Sequence, residues 1–368
     1  MLSRVRRIAE HRPPVWAVAP VVAAVGASLL YVAQVQAPGP AASPAATAST
    51  APVGTAIGRP YLADSAWNTP VPDAPEIDPR SDAFIRSIGE SGNGGVITSD
   101  PTQFTYPVYE VDANTPRHDV PCRVFKCTVV GERDTERVDT LDDVPIPPWV
   151  RPSAGSDGSM IIVDVETGTE YDLWQVDRRE DGTWSVANGS VYNVRWDGMP
   201  ELYGSRGAGL PYLAGLVRHW EIAAGDIQHA IAFAYPNVAM DVCVWPASKT
   251  DGQSEAANAL PEGARLQLDP ALTEPELRSM GLDEAGLIIA RALQRYGMIV
   301  VDVSRRPKIM VEDLRANVNA EGSWSDPETL LTDATIAAIP YTAFRVLALP
   351  SLDGSGADEE RLHGMCHR

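Results

Sequence analysis

Positive charge is the first thing this chain is short of. Its 368 residues hold 30 Lys and Arg against 49 Asp and Glu, a formal net charge of −19. Arg4, Arg6, Arg7, Arg12 and one acid, Glu10, fall in the first 37 positions, so the remainder sets 26 basic side chains against 48 acidic ones and carries −22. Such a surface repels phosphate backbones, which excludes nucleic acid as a partner and weighs against highly sulfated or uronate-rich substrates. Signatures are missing too: there is no G-x-S-x-G elbow, no G-x-x-x-x-G-K-[ST] loop, no H-E-x-x-H and no strand-borne G-x-G-x-x-G. Serine hydrolase, NTPase, zinc protease and dinucleotide oxidoreductase chemistry are thereby disfavoured. Cysteine is scarce, four in all with no C-x-x-C spacing, so no zinc site is expected.

One long apolar run is present. Residues 15–35 contain no charge and, at about 1.5 Å per residue, reach across a bilayer core. The basic segment 1–14 precedes them and no Lys or Arg follows until Arg59, so the positive-inside rule puts the N-terminus in the cytoplasm and the body outside. The expectation is a single-pass signal anchor or, with cleavage after Ala37, a secreted body. The Ala/Pro/Ser/Thr-rich stretch 36–58 reads as a linker, 59–350 as the globular domain and 351–368 as a tail. An oxidising exterior favours a disulfide between Cys122 and Cys127, and a second tying Cys366 to Cys243.

With 44% hydrophobic residues the body can bury a real core. Short runs of β character at 106–111, 160–165, 170–177, 183–186, 191–196, 227–235, 242–245 and 265–268 predict a mainly β fold of sandwich or jelly-roll type, with Asp181-Gly182 as a hairpin turn. Helices are few: 81–88 ending at Gly89, a short one opened by the Thr273/Glu276 capping box, and 283–296 closed by Gly297.

Candidate chemistry lies on strands. Alternation places His229 in the middle of an apolar run, where an imidazole serves as a core residue or as a general base, with Arg218 eleven residues before it. Glu170, Asp172 and Trp174 share one strand face, suiting glycoside hydrolysis by paired carboxylates beside an indole platform. Polysaccharide β-elimination would use Arg218 or Gln175 to neutralise a uronate, His229 as base and Tyr192 or Tyr203 as acid. Trp149, Trp184, Trp196, Trp220, Trp245 and Trp324 are among nine Trp available for sugar stacking, as is expected of Trp220, or for the core. No cofactor is expected beyond a structural calcium ion near Asp164, Glu166 and Glu170.

Gly204-Ser205-Arg206-Gly207-Ala208-Gly209-Leu210-Pro211, the following Leu213-Ala214-Gly215-Leu216-Val217-Arg218, Glu221-Ile222 and Gly225-Asp226-Ile227-Gln228-His229-Ala230 together resemble a family of exported actinobacterial-type proteins, as do Asp64, Trp67, Asn68 and Thr69 and the late helix before Gly297. The resemblance implies export and no particular reaction. Relatives carry Trp-x-Ser-x-Asp where this chain has Tyr203 to Gly207, so an acid of that segment is missing here. The expected function is binding or cleavage of a neutral or weakly charged polysaccharide. The alternatives are a polysaccharide lyase and a non-catalytic envelope scaffold.

Overall fold

The computed structural model describes residues 57–131, 134–200, 203–313 and 331–349. The segment 1–14, the span 15–35, nearly all of the linker 36–58 and the tail 351–368 lie outside the described residues. No helix among the described residues is long and apolar enough to cross a membrane.

Strand clearly outweighs helix. A six-stranded sheet runs in the order Val108–Val111, Met160–Asp164, Thr169–Trp174, Asn188–Asn193, Cys127–Val130, Thr135–Val138. A five-stranded sheet runs Lys308–Ile309, Ile231–Tyr235, Met298–Val303, Arg265–Leu268, Phe344–Val346. Strand alternation stacks them. Ile161 and Val163 share a core with Ala232, Ala234, Ile299 and Val301, so one face of each sheet lines it. Met160 and Ile162, on the reverse, meet Val120, Leu141 and Val144 of the ribbon Arg117–Pro121/Thr140–Pro145. Ile231 and Phe233 meet the helices. Each such aliphatic side chain contributes roughly 1.5–3 kcal/mol on leaving water. The alanine wall leaves room between the sheets for a third participant, the segment carrying Ala208, Leu210, Leu213, Ala214 and Leu216.

The jelly-roll expectation needs correction in its pairing. Val108–Val111 lies parallel to Met160–Asp164, Asn188–Asn193 to Cys127–Val130, and Ile231–Tyr235 to Met298–Val303, whereas hairpin-built jelly rolls are antiparallel. Strand spacing in a sequence carries no information on direction.

The helices follow their caps. In α1 (Ser81–Gly89), Phe84, Ile85 and Ile88 are buried. Between Arg117–Pro121 and the later helices a short α2 (His219–Ala224), closed by Gly225 in the left-handed region at φ 77°, was not anticipated. In α3 (Glu274–Ser279) the Thr273 amide donates to Glu276. In α4 (Glu284–Arg295) the Asp283 carboxylate accepts from the Gly286 amide at 2.8 Å, and Leu287, Ile288, Ala292 and Leu293 face inward. Cys122 and Cys127 are disulfide-bonded. Cys243 is disulfide-bonded as well; Cys366, its expected partner, lies outside the described residues.

Candidate functional site

The loop that threads between the sheets is held by buried acids. Glu170 and Asp172 point from Thr169–Trp174 into the loop: Glu170 accepts the Leu213 amide at 3.0 Å and the Tyr61 hydroxyl at 2.6 Å, and Asp172 accepts the Tyr212 amide at 2.7 Å. Both are sealed from solvent, at 0% and 1% exposure. Burial raises both pKa values, and the charge of Glu170 raises Asp172 further. These are loop anchors, out of reach of a sugar. Arg206, at φ 51°, donates to the carbonyl oxygens of Ala214 and Tyr212 and lies over the Tyr106 ring, which stacks on Tyr212 at 4.2 Å. Tyr192 accepts the Ser205 amide at 2.6 Å and is 4% exposed.

Where the loop ends, α2 folds Arg218 and His229 around a common acid. The Arg218 amide donates to Glu221 Oε2 at 2.9 Å, and His229 Nε2 stands 3.0 Å from Glu221 Oε1. His229 Nδ1 faces the Ala230 carbonyl at 2.9 Å, so both ring nitrogens meet acceptors, an arrangement that favours the imidazolium. The strand begins at Ile231, not Ile227, so His229 precedes it. The Arg218 guanidinium donates to Glu312 Oε2 at 2.8 Å, which also accepts from His219 Nδ1 at 3.0 Å, and it lies 3.8 Å from Glu110. Arg218, Glu221 and His229 line one cavity with Tyr61, Trp67 and Trp220, but its volume of about 10 Å³ is the size of one water. No sugar enters it.

Burial pushes the His229 pKa down; Glu221 and the Ala230 carbonyl outweigh it, and the net direction is up. A group that binds its proton more tightly when folded stabilises fully below its unfolded pKa, about 6.5 for imidazole and about 4 for a carboxyl, and loses that contribution as pH rises through the folded value. Glu170 and Asp172 share this sign. The melting temperature of the chain should therefore fall from pH 5 to pH 8. His229→Gln should flatten the part of that slope above about pH 6.5, and an unchanged slope there would remove His229 from the account.

An accessible site forms elsewhere. A shallow cleft of about 430 Å³ is lined by Glu110, Asp112, Asn114, Pro147, Pro148 and Trp149, among others. Trp149 is 37% exposed, and the Tyr109 ring meets it edge-on at 5.5 Å. Glu110 links this cleft to buried Arg218. The sequence offers one signal for Glu110 and Asp112: they stand two apart at the end of an apolar strand run. The other expected sugar contacts scatter: Trp174 and Trp220 are half-buried, Gln175 gives its carbonyl to Arg123, and Tyr203, 42% exposed, lies beneath the Arg137 guanidinium.

The acids expected near a calcium ion do not present a shared set of oxygens. Asp164 is taken by Arg117 at 3.1 Å and by the Glu166 and Thr167 amides, and Glu170 by Tyr61 and Leu213. Among the described residues the carboxylates that do converge are Asp251, Glu262 and Asp302. Comparison with family models, with curated proteins and with solved structures finds no match to this chain.

Proposed function

We propose that the protein binds a neutral or weakly charged polysaccharide in the cleft beside Trp149. The observation that carries this reading is the half-exposed indole, backed by Tyr109, next to two carboxylates and the Asn114 amide. An aromatic face packs on the C–H side of a pyranose while carboxylates and amides accept and donate to its hydroxyls. The acidic surface matches a glycan without negative charge. In this reading the cleft faces the outside of the cell, on a body anchored by residues 15–35 or released from them.

A second reading, glycoside hydrolysis, rests on Glu110 and Asp112 lining that same cleft. One would protonate the leaving oxygen and the other attack or activate water. The lyase alternative has less behind it, because Arg218 is committed to Glu312 and 3% exposed.

The test is affinity electrophoresis of the purified chain through a panel of neutral polysaccharides. At least one should retard it, and Trp149→Ala should weaken that binding about 30-fold, the roughly 2 kcal/mol typical of an aromatic hot spot. Glu110→Gln and Asp112→Asn should abolish any release of oligosaccharide. Retardation by no neutral glycan overturns the reading.

A further inference from the structure

Glu262 ends the strand Leu260–Glu262 with its carboxylate inside the protein, at 0% exposure, and neither carboxylate oxygen has a hydrogen-bond partner. An ionised carboxyl in that position is costly unless something else compensates it. Two more acids converge on it: Asp302 from Met298–Val303 and exposed Asp251, with one oxygen of each of the three within 4.8 Å of the others. Lys249, a cation close to the cluster, directs its ammonium to the carbonyl oxygens of Arg206 and Gly207. The backbone makes room for the cluster as well. A Cβ on Gly207 would fall 2.3 Å from an Asp251 oxygen and 2.4 Å from a Glu262 oxygen.

From this geometry we infer that Asp251, Glu262 and Asp302 form a binding site for a hard divalent cation of calcium type, independent of the glycan cleft. The donors are all oxygens, which select calcium-like ions over zinc or copper. Two ligands of one calcium ion lie no further apart than twice its roughly 2.3–2.6 Å bond to oxygen, which accommodates the observed spacing. The site ties three separate segments together: Asp251 from the chain after the Val238–Cys243 strand, Glu262 from that strand's partner, and Asp302 from the five-stranded sheet. Without a cation the three repel.

The test uses the purified full-length chain, stripped with a chelator and titrated with calcium chloride at pH 7.5 and constant ionic strength, reading melting temperature and binding heat. The expected result is a saturable rise in melting temperature with a matching one-site isotherm. Asp251→Asn, at an exposed position, should fold like the wild type and bind at least tenfold more weakly. Glu262→Gln, which removes the buried charge but keeps its shape, should lose the calcium response while melting no lower than the stripped wild type. No response of the wild type to millimolar calcium, or a wild-type response in both variants, overturns the inference.

Discussion

Replacing Arg218 by methionine is expected to cost about 3–5 kcal/mol of folding stability, the usual result of breaking one side of a buried ion pair. Methionine keeps most of the volume, so the loss reports charge and not a cavity. Arg218 is 3% exposed, and its Nε lies 2.8 Å from a Glu312 that is itself 1% exposed. Glu312 owes its depressed pKa, against the opposing effect of burial, to Arg218 and His219. Without the guanidinium, it keeps only the imidazole. Lysine should not restore the loss, because a single ammonium cannot span Glu312 and Glu110 as a planar fork does. Urea unfolding provides the measurement, and the double variant Arg218→Met/Glu312→Gln should recover most of the loss by removing both charges together. A single-variant cost below about 1 kcal/mol would show that this network does not hold the end of the loop.

Gly215→Ala should be of similar size, for a steric reason. A Cβ there would meet the Trp67 ring at 2.5 Å, the Ala232 amide nitrogen at 2.6 Å and the Ala230 carbonyl oxygen at 2.9 Å, and the residue sits at φ 70°. The last two are backbone atoms at the entry to a central strand and cannot give way. Overpacking of about 1–3 kcal/mol adds to a left-handed penalty of about 1–2. Gly225→Ala is the control: its φ is 77°, but nothing lies within 4 Å of a Cβ there, so it should carry the conformational penalty alone. Equal melting temperatures for the two variants would contradict the packing argument.

What could be read from the sequence was what neighbouring residues decide. The capping residues at Thr273 and Asp283 located α3 and α4 to within a residue or two, and Asp181-Gly182 does turn the ribbon between Asp177–Arg178 and Trp184–Ser185. Period-2 alternation along Ile231–Tyr235 puts Ile231 and Phe233 on one face and the alanines on the other. It also put Glu170 and Asp172 on a common face, yet could not say that a loop forty residues later covers that face. The same blindness hid the cleft, whose walls come from 110–116, 147–149 and Val165, and the acid cluster, drawn from three segments. The Arg218 amide and His229 Nε2 both meet Glu221. Their burial depends on Trp67 and Tyr61, far upstream.

The way the loop is enclosed constrains how the chain can be assembled in time. Its cover on one side is the Thr169–Trp174 strand, made before it, and on the other the sheet holding Ile231–Tyr235, Met298–Val303 and Phe344–Val346, made after it. Upstream segments also wait for distant ones: Ile77 bridges Leu347, Thr98 bridges Lys308 and Tyr106 bridges Glu312. A chain emerging N-terminus first therefore holds the inner faces of its first sheet, and the acids set in them, open to water until nearly all its residues have appeared. Closure of so many long loops is slow relative to helix formation. During that interval the half-built sheet, with its unpaired edges, is the species most exposed to self-association.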